Sequence, residues 1–248
     1  MNDNHENIDA EIKLHIKTSE KLENFWYHYK WHTIIAVFVL ICALILTLQL
    51  CTKERYDVDI IYAGEVSIST SSVTGSSSQY LMLTDDLKTV TDDCNNDGNV
   101  NVNLQNLYIL DAEQLTEVTS RFSDPMKKSQ LESTVQENRD AFYNSIMYGG
   151  YYLCLLSESL FLEYEALYEE SIFVDIEDYA KDGGSYEYAS EHGIYLSSLG
   201  IFSLPTVSQL PENTVVCLRK PGMLGQSDDG SAYKSAESTL KNLLSYGE

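Results

Sequence analysis

An uninterrupted apolar run lies near the N-terminus and differs from every later hydrophobic pattern in the chain. From Thr33 to Cys51 the sequence carries no charge, and only two threonines and one glutamine interrupt its apolar character. At about 1.5 Å per residue, a helix of this length matches the hydrocarbon thickness of a bilayer. The pattern predicts a transmembrane helix over residues 33–51, preceded by a tail of residues 1–32.

Aromatic residues crowd the segment before this run. The flank FWYHYKWH holds both tryptophans of the chain, Trp26 and Trp31. Amphipathic rings favour the headgroup region, so this flank predicts an interfacial belt. A cleaved signal peptide has a shorter apolar region and small residues at its cleavage site, whereas here Leu50 precedes Cys51. The segment is therefore interpreted as an uncleaved signal anchor.

After residue 55, short apolar runs alternate with helical patterns. Strands are predicted within YDVDIIYAG and over 100–109, 151–156, 171–176, 193–198 and 214–219. Helices are predicted over 79–90, 124–147 and 231–245, where apolar residues recur every three or four positions. A serine-rich loop is predicted over 67–78. The alternation predicts one acidic α/β domain over 56–248, with a mixed sheet flanked by helices.

The clearest helix signal begins at Asp124. This residue suits an N-cap, and Pro125 suits the first helical position. Gly149 and Gly150 then mark the end of the helix. Four apolar residues fall on one face and are predicted to lie in the core: Leu131, Val135, Phe142 and Ile146.

Charge narrows the class of partner. The chain has a net charge of −22, and residues 52–248 hold 12 basic and 32 acidic residues, a net charge of −20. This composition excludes a nucleic-acid partner, which would need a basic patch. Three lysines precede the apolar run closely, and two basic residues follow it. This positive-inside bias predicts a cytoplasmic N-terminus and an extracytoplasmic domain.

Cysteine and histidine offer little chemistry. Three widely spaced cysteines follow the apolar run, so one disulfide is possible with one thiol left over. Cys154 and Cys217 lie in apolar strand-like runs and are predicted to be buried. His192 is the only histidine after the apolar run, and its SEHG context predicts an exposed loop in which the ring is either hydrogen-bonded or solvated rather than catalytic. The sequence has no phosphate-binding, dinucleotide-binding or serine-hydrolase motif.

Carboxylates and tyrosines leave two function hypotheses. Acidic residues cluster between 158 and 178, which is typical of a solvated face, although paired carboxylates would suit a glycoside hydrolase. Sixteen of the 18 tyrosines follow the apolar run, where they suit either a recognition surface or the core. The sequence favours a non-catalytic binding or assembly module for a protein, peptide or solute. The alternative is a membrane-anchored surface hydrolase using paired carboxylates.

One segment has the spacing of a metal loop. Residues 93–104 read DCNNDGNVNVNL, in which oxygen-bearing side chains alternate around Gly98. This resembles the calcium loop of EF-hands and, more closely, of bacterial dockerins. The resemblance implies a calcium site, with candidate ligands Asp93, Asn95, Asp97, Asn99 and Asn101. Leu104 stands where an EF-hand has its closing bidentate acid, so a metal-free turn is the alternative.

The overall layout also resembles a set of uncharacterised single-span membrane proteins from anaerobic Gram-positive bacteria. The shared features are the aromatic flank FWYHYKWHT, one apolar span, a strand like YDVDIIYAG and a D-x-N-x-D-G-x-V-x-V segment. This resemblance implies an extracytoplasmic domain and carries no activity with it.

Overall fold

The computed structural model describes residues 26–27, 29–47, 55–70, 78–168, 170–180, 185–222 and 230–247. The chain divides into two units, Met1–Glu54 and Arg55–Glu248. The second unit begins next to residue 56, where the acidic domain is predicted to start. Most of the predicted tail, residues 48–51 of the predicted span and residues 71–77 of the serine-rich loop lie outside the described residues.

The first unit contains helix α1, Tyr29–Thr47. It is long and apolar enough to cross a membrane, a property that it shares with signal sequences, and none of its most apolar window is buried. The hydroxyl of Thr47 donates to the carbonyl oxygens of Ala43 and Leu44, at 3.0 and 2.9 Å. The polar group of Thr47 is therefore satisfied within the helix, as an apolar surrounding requires.

The second unit is built on a six-stranded mixed sheet with the order β2-β1-β3-β6-β5-β4. The strands are β1 Val58–Gly64, β2 Val102–Tyr108, β3 Leu153–Ser157, β4 Tyr188–Ser190, β5 Gly193–Tyr195 and β6 Thr214–Leu218. β1 pairs in parallel with both β2 and β3, whereas β6 is antiparallel to β3 and to β5. The predicted mixed α/β sheet with flanking helices is confirmed for this unit.

Helices cover both faces of the sheet. They are α2 Gln79–Lys88, α3 Ala112–Ser120, α4 Pro125–Tyr148, α5 Glu158–Leu167 and α6 Ser231–Ser245. One core cluster joins α2 and α6 to the face that carries Ile60, Tyr62 and Leu155. The other joins α4 and α5 to the face that carries Ile61, Ala63 and Cys154. Successive side chains of a strand point to opposite faces of the sheet. The same strands therefore supply apolar residues to both helix layers of a three-layer arrangement.

Helix α4 begins and ends where the sequence predicts. The Asp124 side chain caps it by accepting from the backbone N–H of Met126 at 2.9 Å, and Gly149 follows its last residue. Val135, Phe142 and Ile146 are buried as predicted. Leu131 is only half-buried, so its assignment to the core is wrong: it lies in the N-terminal half of α4, whose fully buried residues begin at Val135.

Two other predictions need correction. Residues 171–176 form no strand; Phe173 makes an isolated bridge to Arg219, and a 3-10 turn begins at Ile176. Of the predicted strand 193–198, only β5 is extended, and a 3-10 turn follows at 196–198. Helix α5 was not predicted, because its dense carboxylates look like a solvated segment in the sequence.

Candidate functional site

Two cavities lined by described residues lie at opposite ends of the strands of the sheet. The parallel strands β1 and β3 finish at one end of the sheet, where the antiparallel strand β6 begins. β6 finishes at the opposite end. The first cavity, here the Tyr195 cavity, has a volume of about 250 Å³. Its lining residues are Glu158, Glu187, Tyr195, Ser197, Glu212 and Asn213. It lies at the carboxyl end of β3, and open α/β sheets commonly bind ligands at the carboxyl ends of their strands.

Tyr195 and Glu158 form the defined contact in the Tyr195 cavity. The phenol donates to Glu158 Oε1 at 2.5 Å. This bond, burial and the nearby carboxylates raise the pKa of Tyr195 to about 12. The phenol is therefore protonated at neutral pH and acts as a donor that positions the carboxylate. A tyrosinate nucleophile would need the opposite shift in pKa.

The carboxyl end of β1, beside that of β3, is closely packed. Gly64 ends β1, and a Cβ added there would lie 2.9 Å from Tyr62 Oη and 3.6 Å from Ser157 Cβ. Beyond Gly64, the Glu65 carboxylate accepts from the side-chain amide of Gln114. The end of β1 therefore packs closely against Ser157, and the Glu65 carboxylate is occupied by α3.

The second cavity, here the His192 cavity, is larger, with a volume of about 610 Å³. It lies between the end of α5, the β4–β5 turn and the residues that follow β6. The residues of its lining that carry charge or a ring are Glu165, Tyr168, Glu170, Glu191, His192 and Lys220. This volume falls within the range typical of small-molecule sites, about 300–1,000 Å³.

His192 is held on both sides by carboxylates. Its Nδ1 lies 2.8 Å from Glu165 Oε1, and its Nε2 lies 3.1 Å from Asp175 Oδ1. The side chain is only 11% exposed and contacts two carboxylates, so the exposed-loop prediction is wrong and the alternative of a satisfied histidine holds. The sequence context hides this result because Glu165 and Asp175 come from α5 and from the segment after it.

A glycine brings this turn against the helix. A Cβ at Gly193 would lie 2.5 Å from Val215 Cγ1 and 2.7 Å from Phe161 Cζ. Any larger residue would push the β4–β5 turn away from α5. Gly193 therefore allows the close approach that places His192 beside Glu165.

Ser190 does not form a nucleophilic dyad with His192. The serine hydroxyl donates to Glu165 Oε1 at 2.6 Å, and its oxygen accepts from the backbone N–H of His192 at 3.1 Å. The imidazole instead contacts carboxylates. This arrangement fixes Glu165 as a hydrogen-bond acceptor and does not activate Ser190 for attack.

Lys220 is the one lysine among the described residues that line the His192 cavity. Its backbone N–H donates to the carbonyl oxygen of Ile172 at 2.8 Å, which fixes the residue beside the segment after α5. Its side chain forms no ion pair within 4.0 Å with any carboxylate in the part of the chain that the structure describes. Sequence spacing gives no signal for this site, because separate segments supply its lining.

The predicted calcium loop is closed by its own hydrogen bonds. Asp93 Oδ1 and Oδ2 accept from the backbone N–H groups of Asp97 and Gly98, at 3.2 and 2.9 Å. Asn95 Oδ1 also accepts from the Asp97 N–H, and Asp97 Oδ1 accepts from the Asn99 N–H. Gly98 has a φ of 84°, which favours glycine.

Asp57 ties this loop to the sheet. Its two carboxylate oxygens accept from the backbone N–H groups of Asn95 and Asn101, at 3.1 and 2.8 Å. Among residues 78–168 and the other described ranges, no group of three or more His, Cys, Asp or Glu side chains is placed to hold a metal ion. That search does not count asparagine oxygens, so calcium binding by Asp93, Asn95, Asp97, Asn99 and Asn101 stays a prediction.

The core cysteines face each other across two strands. Cys154 on β3 is the register partner of Cys217 on β6; both are buried, as predicted, and both are free. Burial, with Cys154 as neighbour, raises the pKa of the Cys217 thiol well above its usual value. Cys94 is free and exposed.

Comparisons of the chain with models of known protein families, with curated proteins and with solved structures find no match. The resemblances stated for the loop and for the overall layout therefore stay predictions.

Proposed function

We propose that this protein is a membrane-anchored, non-catalytic binding or assembly module whose acidic domain lies outside the cytoplasm. The observation that carries the proposal is the His192 cavity, a concave site with fixed polar groups and a small-molecule volume. Helix α1 suits an anchor, and the lysine bias around it favours a cytoplasmic N-terminus. The assembly role would use the same exposed domain to hold a protein or peptide partner.

Hydrogen bonding around the cavity favours binding over catalysis. Glu165 Oε1 is occupied by both Ser190 and His192, so this oxygen is not free to take a proton from a substrate or a water molecule. The alternative, a surface hydrolase with paired carboxylates, is favoured by one observation: Glu165, Glu170 and Glu191 line the same cavity. A panel of chromogenic glycosides and peptide anilides separates the two, since a hydrolase would release dye and lose that activity in Glu170→Gln.

Ligand-induced stabilisation tests the binding proposal. The full chain in detergent is heated with a panel of amino acids, short peptides, polyamines and sugars, because a ligand of the native state raises Tm. A true ligand of the His192 cavity loses its effect in Glu170→Trp, which fills the cavity mouth. It keeps its effect in Glu212→Trp, which fills the Tyr195 cavity instead. Failure of every compound to raise Tm, or equal effects in both variants, would overturn the proposal.

Orientation has its own experiment. Cys94 is exposed, so it reports the side of the membrane on which the domain lies. A membrane-impermeant maleimide should label it in intact cells, and Cys94→Ser should remove that labelling. Labelling of Cys94 only after lysis would place the domain in the cytoplasm.

A further inference from the structure

We propose that the His192 cavity binds a zwitterion that carries a free ammonium and a free carboxylate, which is the chemistry of an amino acid or a short unblocked peptide. This inference rests on the proposed binding function and names the ligand class for that site. The cavity presents carboxylates and a lysine ammonium that pairs with no carboxylate of the described residues, and a ligand with both charges satisfies the two together.

The carboxylates supply the site for the ammonium. Glu170 and Glu191 are exposed at the cavity, and Glu165, whose Oε1 is bound by Ser190 and His192, lines it as well. Helix α5 ends at Leu167, directly before the lining residue Tyr168. The last carbonyl groups of a helix carry partial negative charge, which stabilises a nearby cation. The wall around α5 therefore attracts a positively charged group.

Lys220 supplies the site for the carboxylate. The domain is strongly acidic, so an ordinary surface lysine has many carboxylates with which to pair. Lys220 instead lines the cavity with Glu165, Glu170 and Glu191 and lies more than 4.0 Å from the carboxylate oxygens of all three. The separation leaves room for a ligand carboxylate to reach the ammonium without displacing a protein ion pair.

His192 keeps the acidic wall in place. Its ring lies between Glu165 on α5 and Asp175 on the following segment, and it is almost fully buried. The histidine is thus a positioning residue that holds Glu165 in the acidic wall.

Blocked and unblocked forms of one peptide test this ligand class directly. Isothermal titration calorimetry on the full chain in detergent compares dialanine with N-acetyl-dialanine and with dialanine amide. Removal of either charge should weaken binding by at least about tenfold, because it leaves one charged wall unmatched. Alanine and tetraalanine, titrated alongside, show whether an amino acid or a peptide fits the volume better.

Two substitutions assign each charge to its wall. Lys220→Met should bind dialanine and dialanine amide with the same affinity, because the partner of the ligand carboxylate is gone. Glu170→Gln should reduce the preference for dialanine over its N-acetyl form. Lys234→Met and Glu212→Gln remove the same charges outside the cavity and should leave all three affinities unchanged.

The outcomes separate this inference from the proposed function. Equal affinity for the three dialanine forms overturns the proposal of a zwitterionic ligand. So does a Lys220→Met variant that still prefers dialanine over dialanine amide. A compound without two opposite charges that binds the cavity while dialanine does not overturns the ligand class and leaves the binding module standing. If dialanine does not bind and no compound of the thermal panel raises Tm, both the ligand class and the proposed binding function are overturned.

Discussion

The guanidinium of Arg219 lies 4.3 Å from the centroid of the Tyr152 ring, and Arg219 is completely buried. No carboxylate among the described residues pairs with it. Its Nε donates to the carbonyl oxygen of Tyr151 at 3.1 Å, and Nη2 donates to that of Gly149 at 3.0 Å. Gly149 directly follows α4, so the negative end of that helix and the ring face take the place of a counter-ion.

Substitution of Arg219 should therefore be costly even when the charge is kept. Arg219→Lys loses the fork that reaches two carbonyl groups and should cost at least about 2 kcal/mol of unfolding free energy, since hydrogen bonds to charged groups contribute about 1.5–3 kcal/mol each. Urea unfolding followed by circular dichroism measures this. Lys220→Met, one residue further on, is the control and should change stability by less than about 0.5 kcal/mol. Similar values for both variants would contradict the assignment.

The two ends of α4 should respond differently to truncation. Phe142 is fully buried and its ring meets Tyr164 edge-on at 5.0 Å, so Phe142→Ala should cost about 3–5 kcal/mol. Leu131 is half-buried, and Leu131→Ala should cost less than about 1 kcal/mol. Thermal unfolding of the two variants in the same detergent gives the comparison. Equal losses would mean that the N-terminal half of α4 is packed as tightly as its C-terminal half.

Alkaline pH should destabilise the domain through its buried phenols. Burial is the main cause that raises the pKa of Tyr164 from 10.0 to about 12. The unfolded chain then loses this proton first, so the contribution to stability is complete below pH 10 and is lost as the pH rises from 10 through 12. Unfolding free energies at pH 9 and 11 should fall less in Tyr164→Phe than in the unsubstituted protein. A fall of the same size in both would exclude Tyr164 as a source.

Thiol reactivity should divide the cysteines by burial. Cys94 is exposed, whereas Cys154 and Cys217 are fully buried and the raised pKa of Cys217 keeps it as the less reactive thiol form. N-ethylmaleimide should modify Cys94 in the folded chain and reach the other two only after denaturation. Peptide mass mapping assigns each site. Modification of Cys217 at the rate of Cys94 would show that the β3–β6 region opens readily.

Calcium binding by the loop should depend on Asp93 and not on the neighbouring Asp92. Calorimetry with millimolar calcium should give heat that Asp93→Ala abolishes, because Asp93 is a candidate ligand and also closes the turn. Asp92→Ala should leave that heat unchanged, because Asp92 accepts from Ser238 and Asn242 on α6. Absence of heat in the unsubstituted protein would leave Asp93, Asn95 and Asp97 as acceptors for backbone N–H groups alone.

Periodicity predicted the regular elements well where one physical rule dominates. The N-cap of Asp124, the first-turn proline and the glycine after α4 are local signals, and the structure places the helix between them. Helix α6 begins and ends at the predicted residues, Ser231 and Ser245, because its apolar residues recur on one face. Residues 171–176 are apolar enough for a strand, but their pairing with the end of β6 is limited to the Phe173–Arg219 bridge and to backbone bonds of Ile172 and Val174, since β5 already pairs with β6 at Val215 and Val216.

The His192 cavity could not be predicted from spacing. His192 follows β4, Lys220 follows β6, and Glu165 lies within a helix whose carboxylates look like a solvated run. Only the order and direction of the strands bring these segments together at one end of the sheet. The candidate metal loop is the opposite case, because all its oxygen atoms come from consecutive positions and are visible in the sequence.

The strand order also governs when the domain can fold. Ile60 on β1 pairs with Leu153 on β3, and Leu153 pairs with Leu218 on β6, so the middle of the sheet joins the beginning, centre and end of the domain sequence. Contacts between residues so far apart close large loops and slow folding. A nascent chain that has reached only α4 holds β1 and β2 without the strand that covers the other side of β1. The sheet is completed only when residues near 218 have been synthesised, and until then the domain stays an open substrate for chaperones and proteases.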